Sequence, residues 1–275
     1  MAELRLALAD ALGPLYRVER EVRPVGECRM FVAREASDGG GPELLVKVLP
    51  RALSLAMDAG LFEREVLLLA DRLGHDEVVA PLRAGRAGPF IYHARPFVAG
   101  TTLRAWLQNY RTVPVARAVE ILRDVLSALS HAHAAQVAHG DLKPENVLLT
   151  DGRTLLADTG VVNVVGRALT AGSAGGACAA LCDAAYVAPG RWEDDEPASP
   201  RDDMFAVGVL VQEMLLGRPA LPEAEPLEKD RALPDWMPEL LRRCGAAKPT
   251  ARWADAAEAL AAIRPPPGRS DQLRQ

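Results

Sequence analysis

One short run near the middle of the chain holds the side chains best suited to chemistry: His139-Gly140-Asp141-Leu142-Lys143-Pro144-Glu145-Asn146-Val147-Leu148-Leu149. An aspartate at position 141 can orient and deprotonate an attacking hydroxyl, and Lys143 can neutralise a phosphoryl group in transfer. The amide oxygen of Asn146 suits Mg²⁺, and Asp158 follows twelve residues later, exposed at the end of a predicted strand, where it suits the main metal ligand. This spacing predicts a phosphoryl-transfer site.

The elements that must hold these residues change in character along the chain. The predicted strands lie at 16–49, 78–82 and 90–94, and the predicted helices at 61–73, 115–136, 203–216 and 251–263. Residues 137–165 are interpreted as short strands and turns, and the Gly/Ala/Ser-rich segment 166–184 as a long mobile loop. A β-rich first third before a helical remainder predicts the α+β fold class, with a cleft between two unlike halves.

Composition argues against several classes of function. The chain has 275 residues and a formal net charge of −5 at pH 7, which argues against a nucleic-acid partner. No stretch of about 18 apolar residues occurs, so no membrane span is expected. Residues 1–12 lack the apolar core of a signal peptide, and four cysteines are too few for a disulfide framework. The expected location is therefore cytoplasmic, and the Pro-rich tail at 265–275 is expected to be disordered.

The run at 139–149 resembles the catalytic loop of the protein kinases, and Asp158-Thr159-Gly160 resembles their Asp-Phe-Gly motif. The resemblance continues in order over roughly residues 15–263, and Lys143-Pro144-Glu145 has the form typical of serine/threonine kinases, with bacterial ones the most similar in character. It implies a bilobal protein-kinase-like domain over 1–264 that uses ATP and Mg²⁺. Its N-lobe would cover about 13–96, and its C-lobe about 97–264.

The same resemblance assigns roles to residues outside the catalytic loop. Lys47 is similar to the lysine that holds the nucleotide phosphates, and Glu65 to the helix glutamate that pairs with it. Residues 95–103 resemble the hinge that hydrogen-bonds adenine. The resemblance therefore implies catalytic roles for Asp141, Lys143 and Asn146, metal binding by Asn146 and Asp158, and a nucleotide site made of Gly26, Met30, Leu45, Lys47, Glu65, Arg95, Phe97, Val98 and Asp158.

Three departures from the family pattern surround the nucleotide site. One glycine, Gly26, remains of the Gly-x-Gly-x-x-Gly loop whose bare backbone approaches the phosphates. Leu45 replaces a small alanine that packs on adenine, and Arg95 stands at the back of the same slot. Because a buried guanidinium needs partners, Arg95 is expected to contact Glu65 and Asp158.

The C-lobe keeps one feature of the family and changes two others. Asp203 is similar to the aspartate that braces the catalytic loop. Gly140 replaces an arginine that pairs with a phosphorylated loop, so activation by loop phosphorylation is not expected. Gly190 replaces a glutamate whose partner is the arginine matched by Arg252, and we hypothesise that Glu193 takes its place.

Three functions stay open at this point. The first is an ATP- and Mg²⁺-dependent serine/threonine kinase that acts on a protein hydroxyl. The second is a pseudokinase that binds a regulatory protein partner, which the changes at Gly26, Leu45 and Arg95 favour. The third is a small-molecule phosphotransferase resembling the aminoglycoside and choline kinases, whose loops often read His-Gly-Asp. Lys143 and the long segment after Asp158 argue against this third function.

Overall fold

The computed structural model describes residues 2–36, 41–170, 174–179, 181–191, 196–220 and 233–263. The strands are β1 (Tyr16–Val25), β2 (Cys28–Glu35), β3 (Glu43–Val48), β4 (Val78–Val79), β5 (Arg83–Ala87), β6 (Phe90–Pro96), β7 (Thr101–Thr102), β8 (Val147–Leu149) and β9 (Thr154–Ala157). The helices are α1 (Ala2–Leu12), α2 (Arg51–Leu55), α3 (Ala59–Arg72), α4 (Leu103–Tyr110), α5 (Val115–Ala134), α6 (Val161–Ala168), α7 (Ala174–Ala179), α8 (Pro200–Leu216), α9 (Met237–Cys244) and α10 (Ala256–Ala262). The α+β class is confirmed, while Glu193 and the tail at 265–275 lie outside the described residues.

Five antiparallel strands in the order β1-β2-β3-β6-β5 form the sheet of the N-lobe. Side chains alternate between its two faces. One face packs Phe31, Leu44 and Val46 against helix α1, which buries Leu8 in the same cluster. The helical spacing of the apolar residues Leu4, Leu8 and Leu12 explains why this segment folds onto the sheet. Helix α1 thus adds a layer ahead of the predicted start of the N-lobe.

The register between β3 and β6 determines which side chains reach the other face of the sheet. Leu45 lies opposite Arg95, and Lys47 lies opposite His93. Their neighbours along the two strands are buried under α1. Because side chains alternate, these four point away from α1 and toward the C-lobe.

Helix α8 forms the centre of the C-lobe together with α5. It is buried over nearly its whole length, from Asp203 to Leu215, as expected for a helix that is apolar on all sides. Ser199 and Asp202 form a capping box at its start, which satisfies two otherwise unpaired backbone N–H groups. A second sheet, in the order β4-β9-β8-β7, lies at the cleft side of this lobe. Its strands β8 and β9 lie between Asn146 and Asp158 in the chain.

Two helices occupy part of the segment that the sequence predicted as strands, turns and a long loop. Helix α6 contacts α3 of the N-lobe, and α7 follows at 174–179. The buried side chains of α6 are Val161, Val162, Val164, Val165 and Ala168. Valine is a modest helix former, so the helix depends on burial of this apolar face. The prediction of strands and turns is wrong at 161–165, and the prediction of a loop is wrong at 166–168 and 174–179, whereas β8 and β9 confirm the short strands before them.

Other elements differ in smaller ways from the prediction. Strand β5 was not predicted, since its glycine and two arginines hide the alternation typical of strands. Strand β6 extends to Pro96, two residues beyond its predicted end. None of the helices in the described part of the chain is long and apolar enough to cross a lipid bilayer.

Candidate active site in the cleft between the lobes

The carboxylate of Asp203, on helix α8, holds the backbone of the catalytic loop through hydrogen bonds. Its Oδ2 accepts a hydrogen bond from the His139 N–H at 2.7 Å, and its Oδ1 accepts one from the Gly140 N–H at 2.8 Å. The Nε2 of His133 lies 2.9 Å from the same Oδ2. Asp203 is 1% exposed, so water does not compete with these charge-assisted bonds. The structure therefore shows the predicted brace.

The structure favours glycine at position 140 over any other residue for two reasons. Its φ is +77°, a left-handed conformation that side chains disfavour. A Cβ built there would lie 2.5 Å from a methyl group of Val162 on α6 and 3.0 Å from the side chain of Ala198. An arginine at this position is incompatible with the observed place of α6.

The three predicted catalytic residues lie together in this loop. Lys143 Nζ is 2.8 Å from Asp141 Oδ2 and also donates to the Leu181 carbonyl at 3.1 Å. Asn146 Nδ2 donates to the Asp141 carbonyl at 2.8 Å and lies 3.3 Å from Asp141 Oδ2. The amide thereby fixes the aspartate, and its own Oδ1 is left to accept another ligand. An aspartate, a lysine and an amide oxygen are thus held at one point of the cleft.

Asp158 lies between two cations on the N-lobe side of the cleft. Lys47 Nζ donates to its Oδ2 at 2.7 Å, and Arg95 Nε is 3.4 Å from its Oδ1. Asp158 is 7% exposed, against the sequence prediction of an exposed aspartate, because the inner face of the N-lobe sheet covers it. Of the two partners expected for Arg95, the structure therefore shows Asp158.

Burial and charge act in opposite directions on the pKa values of this cluster. Burial would raise the pKa of Asp158, but Lys47 and Arg95 outweigh it and hold that pKa far below its usual range. Burial would likewise lower the pKa of Lys47, but the facing carboxylate raises it above its ordinary value. All three groups are therefore charged at neutral pH, and the cluster carries a net charge of about +1.

Glu65 is not the partner of Lys47, contrary to the sequence prediction. Its Oε2 accepts a hydrogen bond from Arg167 Nε of helix α6 at 3.0 Å, and neither Lys47 nor Arg95 forms an ion pair with it. The cause is α6, which packs against α3 and brings Arg167 beside the glutamate. The prediction missed this pair because it assigned no helix to residues 161–168.

His93 belongs to the same cluster, although the sequence reasoning did not single it out. It is 1% exposed, and neither ring nitrogen has a hydrogen-bond partner. Burial lowers its pKa to about 4, partly offset by the attraction of Asp158. Its position was detectable, because a residue two places before Arg95 on a strand must point to the same face.

The remaining residues predicted to bind nucleotide lie on β2, on β3, in the turn between β1 and β2, and in the segment after β6. Met30 is buried beside Lys47 across β2 and β3, and Leu45 is half-buried opposite Arg95. Val98 packs against a small apolar cluster of Val79, Leu148 and Ala157. Phe97 lies under the guanidinium of Arg20, 5.8 Å from its ring centre. Gly26 turns the chain between β1 and β2 with a φ of +55° and open space around it.

The cleft offers oxygen ligands of the kind that Mg²⁺ prefers. Among the described residues, no three His, Cys, Asp or Glu side chains come together as a metal-binding group. Mg²⁺ usually takes only one or two protein carboxylates and completes its shell with phosphates and water. The Asp158 carboxylate and the unpaired Oδ1 of Asn146 fit that requirement. A small pocket of about 30 Å³ lies beside Asp158 and is lined by Lys47, Asp141 and Lys143.

Comparisons with known proteins agree with this arrangement. A model of the protein kinase domain matches residues 34–261. The chain is 39% identical over 147 residues to serine/threonine-protein kinase PknL of Mycobacterium tuberculosis, covering 53% of the chain and 36% of PknL. It is 32% identical over 214 residues to serine/threonine-protein kinase pkn3 of Myxococcus xanthus, covering 74% of the chain and 38% of that protein. The chain thus spans little more than a third of the length of these two relatives.

Solved structures support the fold. A crystal structure of the Mycobacterium tuberculosis PknI kinase domain, a double mutant, matches with a TM-score of 0.69 at 24% identity. The match covers 90% of this chain and 94% of that one. A single-mutant structure of the same domain matches with a TM-score of 0.66 at 23% identity. At this level of identity the likeness confirms the bilobal fold.

Proposed function

This chain belongs to the protein kinase family, and on that premise we propose that it is a serine/threonine kinase that transfers the γ-phosphoryl group of ATP to a protein hydroxyl with Mg²⁺. The observation that carries the proposal is the contact of Asp141 with both Lys143 and Asn146, in a loop held by Asp203. A loop that served only as a connection would not need a lysine and an amide that both contact one carboxylate.

Each residue has a defined task in this proposal. Asp141 orients the attacking hydroxyl and accepts its proton, and Lys143 neutralises charge on the transferred phosphoryl oxygens. Lys47 binds the phosphates of the nucleotide. Asn146 and Asp158 would hold the Mg²⁺, which when bound neutralises phosphate charge. Protein substrates agree with membership of this family better than small alcohols do.

The proposal requires a rearrangement in the cleft. Lys47 and Asp158 bind each other, whereas in transfer they would face the phosphates and the metal. Glu65 would support Lys47 after release from Arg167. That release is easy, because the side chains of the Glu65–Arg167 pair are 25% and 47% exposed and exposed pairs contribute little to stability.

The second candidate function is that of a pseudokinase, which binds a protein partner without phosphoryl transfer. The observation that favours it is Arg95, which is 6% exposed and contacts both Asp158 and the Pro96 carbonyl. Together with the side chain of Leu45, the guanidinium reduces the room for a base in the slot. The two candidates therefore differ in whether the nucleotide can displace this side chain.

A thermal-shift titration followed by a transfer assay distinguishes the candidates. Saturating Mg²⁺-ATP stabilises a binding protein by about 2.7 kcal/mol at a hundredfold excess over Kd, which is roughly 5–10 °C for a domain of this size. We expect that shift in the wild type and its loss in Lys47→Ala. Asp141→Asn is the matched control for transfer, because it should keep the shift and lose phosphorylation of a peptide library.

The possible outcomes of the two assays distinguish the kinase from the pseudokinase. A shift with transfer that Asp141→Asn abolishes supports the kinase. A shift without transfer, or no shift at millimolar nucleotide, contradicts it and favours the pseudokinase. Transfer that Asp141→Asn leaves intact would contradict the assigned chemistry, since the carboxylate would then have no role in it.

A further inference from the structure

Arg95 connects two parts of the cleft that the proposed function uses separately. Its Nε lies 3.4 Å from Asp158 Oδ1, and its Nη1 donates to the Pro96 carbonyl at 3.3 Å. Asp158 belongs to the metal end of the cleft, while Pro96 lies in the segment expected to bind the base. At 6% exposure the guanidinium lies inside the cleft rather than on its rim. One side chain thus extends from the metal ligand to the base slot.

The strand register explains why the Pro96 carbonyl is available to Arg95. The Phe97 N–H donates to the Glu43 carbonyl of β3 at 2.8 Å. In an antiparallel ladder, hydrogen-bonded pairs alternate with non-bonded pairs, so the next pair, Leu44 and Pro96, is a non-bonded one. The Pro96 carbonyl therefore points away from β3. A base that used this acceptor would have to displace the guanidinium first.

We propose that Arg95 closes the base slot and that Asp158 holds it there, so that a cation at the metal site opens the slot. A divalent cation on Asp158 would stand close to the guanidinium, and like charges repel strongly where water is excluded. Arg95 then loses its carboxylate partner and turns toward solvent. Metal binding and base binding become coupled, and each must tighten the other by the same factor. This inference rests on the proposed nucleotide site and makes Arg95 a positioning residue.

The expected size of the coupling between metal binding and base binding depends on which partner Asp158 keeps when Arg95 leaves. Lys47 stays 2.7 Å from its Oδ2, so the carboxylate is not left bare when Arg95 departs. The guanidinium can therefore leave without metal, at a moderate cost. We expect a coupling of about tenfold, inside the usual range for linked sites, rather than an all-or-none effect.

Adenosine tests the coupling, because it has a base but no phosphates that bring a metal with them. By calorimetry, the wild type should bind adenosine about tenfold more tightly in saturating Mg²⁺ than in EDTA, at ionic strength matched with KCl. Arg95→Met should bind it equally in both. Leu45→Ala is the matched control. It widens the slot and should bind adenosine more tightly, but it should keep the Mg²⁺ dependence, because Arg95 and Asp158 are untouched.

A second variant gives a readout without metal. Asp158→Asn removes the charge that holds Arg95, so in EDTA it should bind adenosine more tightly than the wild type. In a double-mutant cycle that gain should vanish once Arg95→Met is present. A gain that persists in the double mutant would contradict the assigned link between the two side chains.

Three further results would overturn the proposal. The first is equal adenosine affinity of the wild type with and without Mg²⁺. The second is a Mg²⁺ dependence that survives Arg95→Met. The third is adenosine binding by Arg95→Met and never by the wild type, since the metal would then not open the slot. If Arg95→Met and Leu45→Ala bound neither adenosine nor Mg²⁺-ATP, the proposed nucleotide-dependent function itself would fail.

Discussion

Replacement of His93 by methionine should stabilise the protein, and the gain should grow as the pH falls. The imidazole is 1% exposed and has no hydrogen-bond partner for either nitrogen. A buried polar group without a partner typically costs about 1–3 kcal/mol. Methionine fills a similar volume without a strongly polar group and adapts to irregular space. Even at neutral pH, His93→Met should therefore raise the free energy of unfolding.

The pH dependence follows from the pKa of the buried ring. Burial lowers the pKa of His93 from 6.5 to about 4. Between these values the unfolded chain binds a proton that the folded chain does not. Stability from the neutral ring is therefore fully present above pH 6.5 and is lost as the pH falls toward 4. The difference between the two pKa values corresponds to about 3 kcal/mol in the free energy of unfolding. About 2 kcal/mol of this is already lost at pH 5.

Urea unfolding at pH 8 and pH 5 measures this effect. The gain in stability from His93→Met should be larger at pH 5 than at pH 8 by about 2 kcal/mol. Ile91→Met, at another buried position of β6, is the matched control, because its effect on stability should be the same at both pH values. An equal gain at both pH values for His93→Met would refute the reasoning, since the ring would then protonate as easily in the folded state as in the unfolded one.

Three further predictions follow from features of the two lobes. Leu8→Asp places a charge under the sheet and should destabilise by about 3 kcal/mol or more in urea unfolding, whereas Leu6→Asp, at a site 66% exposed, should change stability by less than about 0.5 kcal/mol. Arg252→Met removes the donor to the Ala246 carbonyl, so stability should fall by about 1–3 kcal/mol; an unchanged midpoint would contradict this. Thr170→Glu should not raise phosphotransfer, because no arginine precedes Asp141; an increase of about tenfold would contradict that prediction.

Local patterns in the sequence predicted most of the fold and the centre of the site. Strands β1, β2, β3 and β6 of the N-lobe and helix α5 follow from alternation and helical periodicity, which act over a few neighbouring residues. The contacts among Asp141, Lys143 and Asn146 follow from a short loop with fixed spacing. Asp203 could be predicted only through the resemblance to a family, because it lies more than sixty positions from the loop that it braces.

The rest depended on tertiary contacts that no local pattern encodes. Valine-rich residues 161–168 suit a strand by propensity, and burial against α3 and α7 favours the helix instead. Arg167 reaches Glu65 because of that helix, so the error in secondary structure led directly to the error in pairing. The sequence predicted that Arg95 would need a carboxylate partner, because any buried cation does. It could not choose between Glu65 and Asp158, because that choice depends on where the two carboxylates lie in the folded structure.

Gly140 has a consequence for how this sequence can change. A side chain at that position and helix α6 in its present place exclude each other, since a Cβ would lie 2.5 Å from Val162. An arginine introduced at position 140 by a single substitution would therefore not fit, because α6 would first have to move. The same contact applies to any other side chain at position 140, so glycine is the residue that fits while α6 occupies its present place. A variant with a side chain at position 140 would therefore need a second change that moves α6.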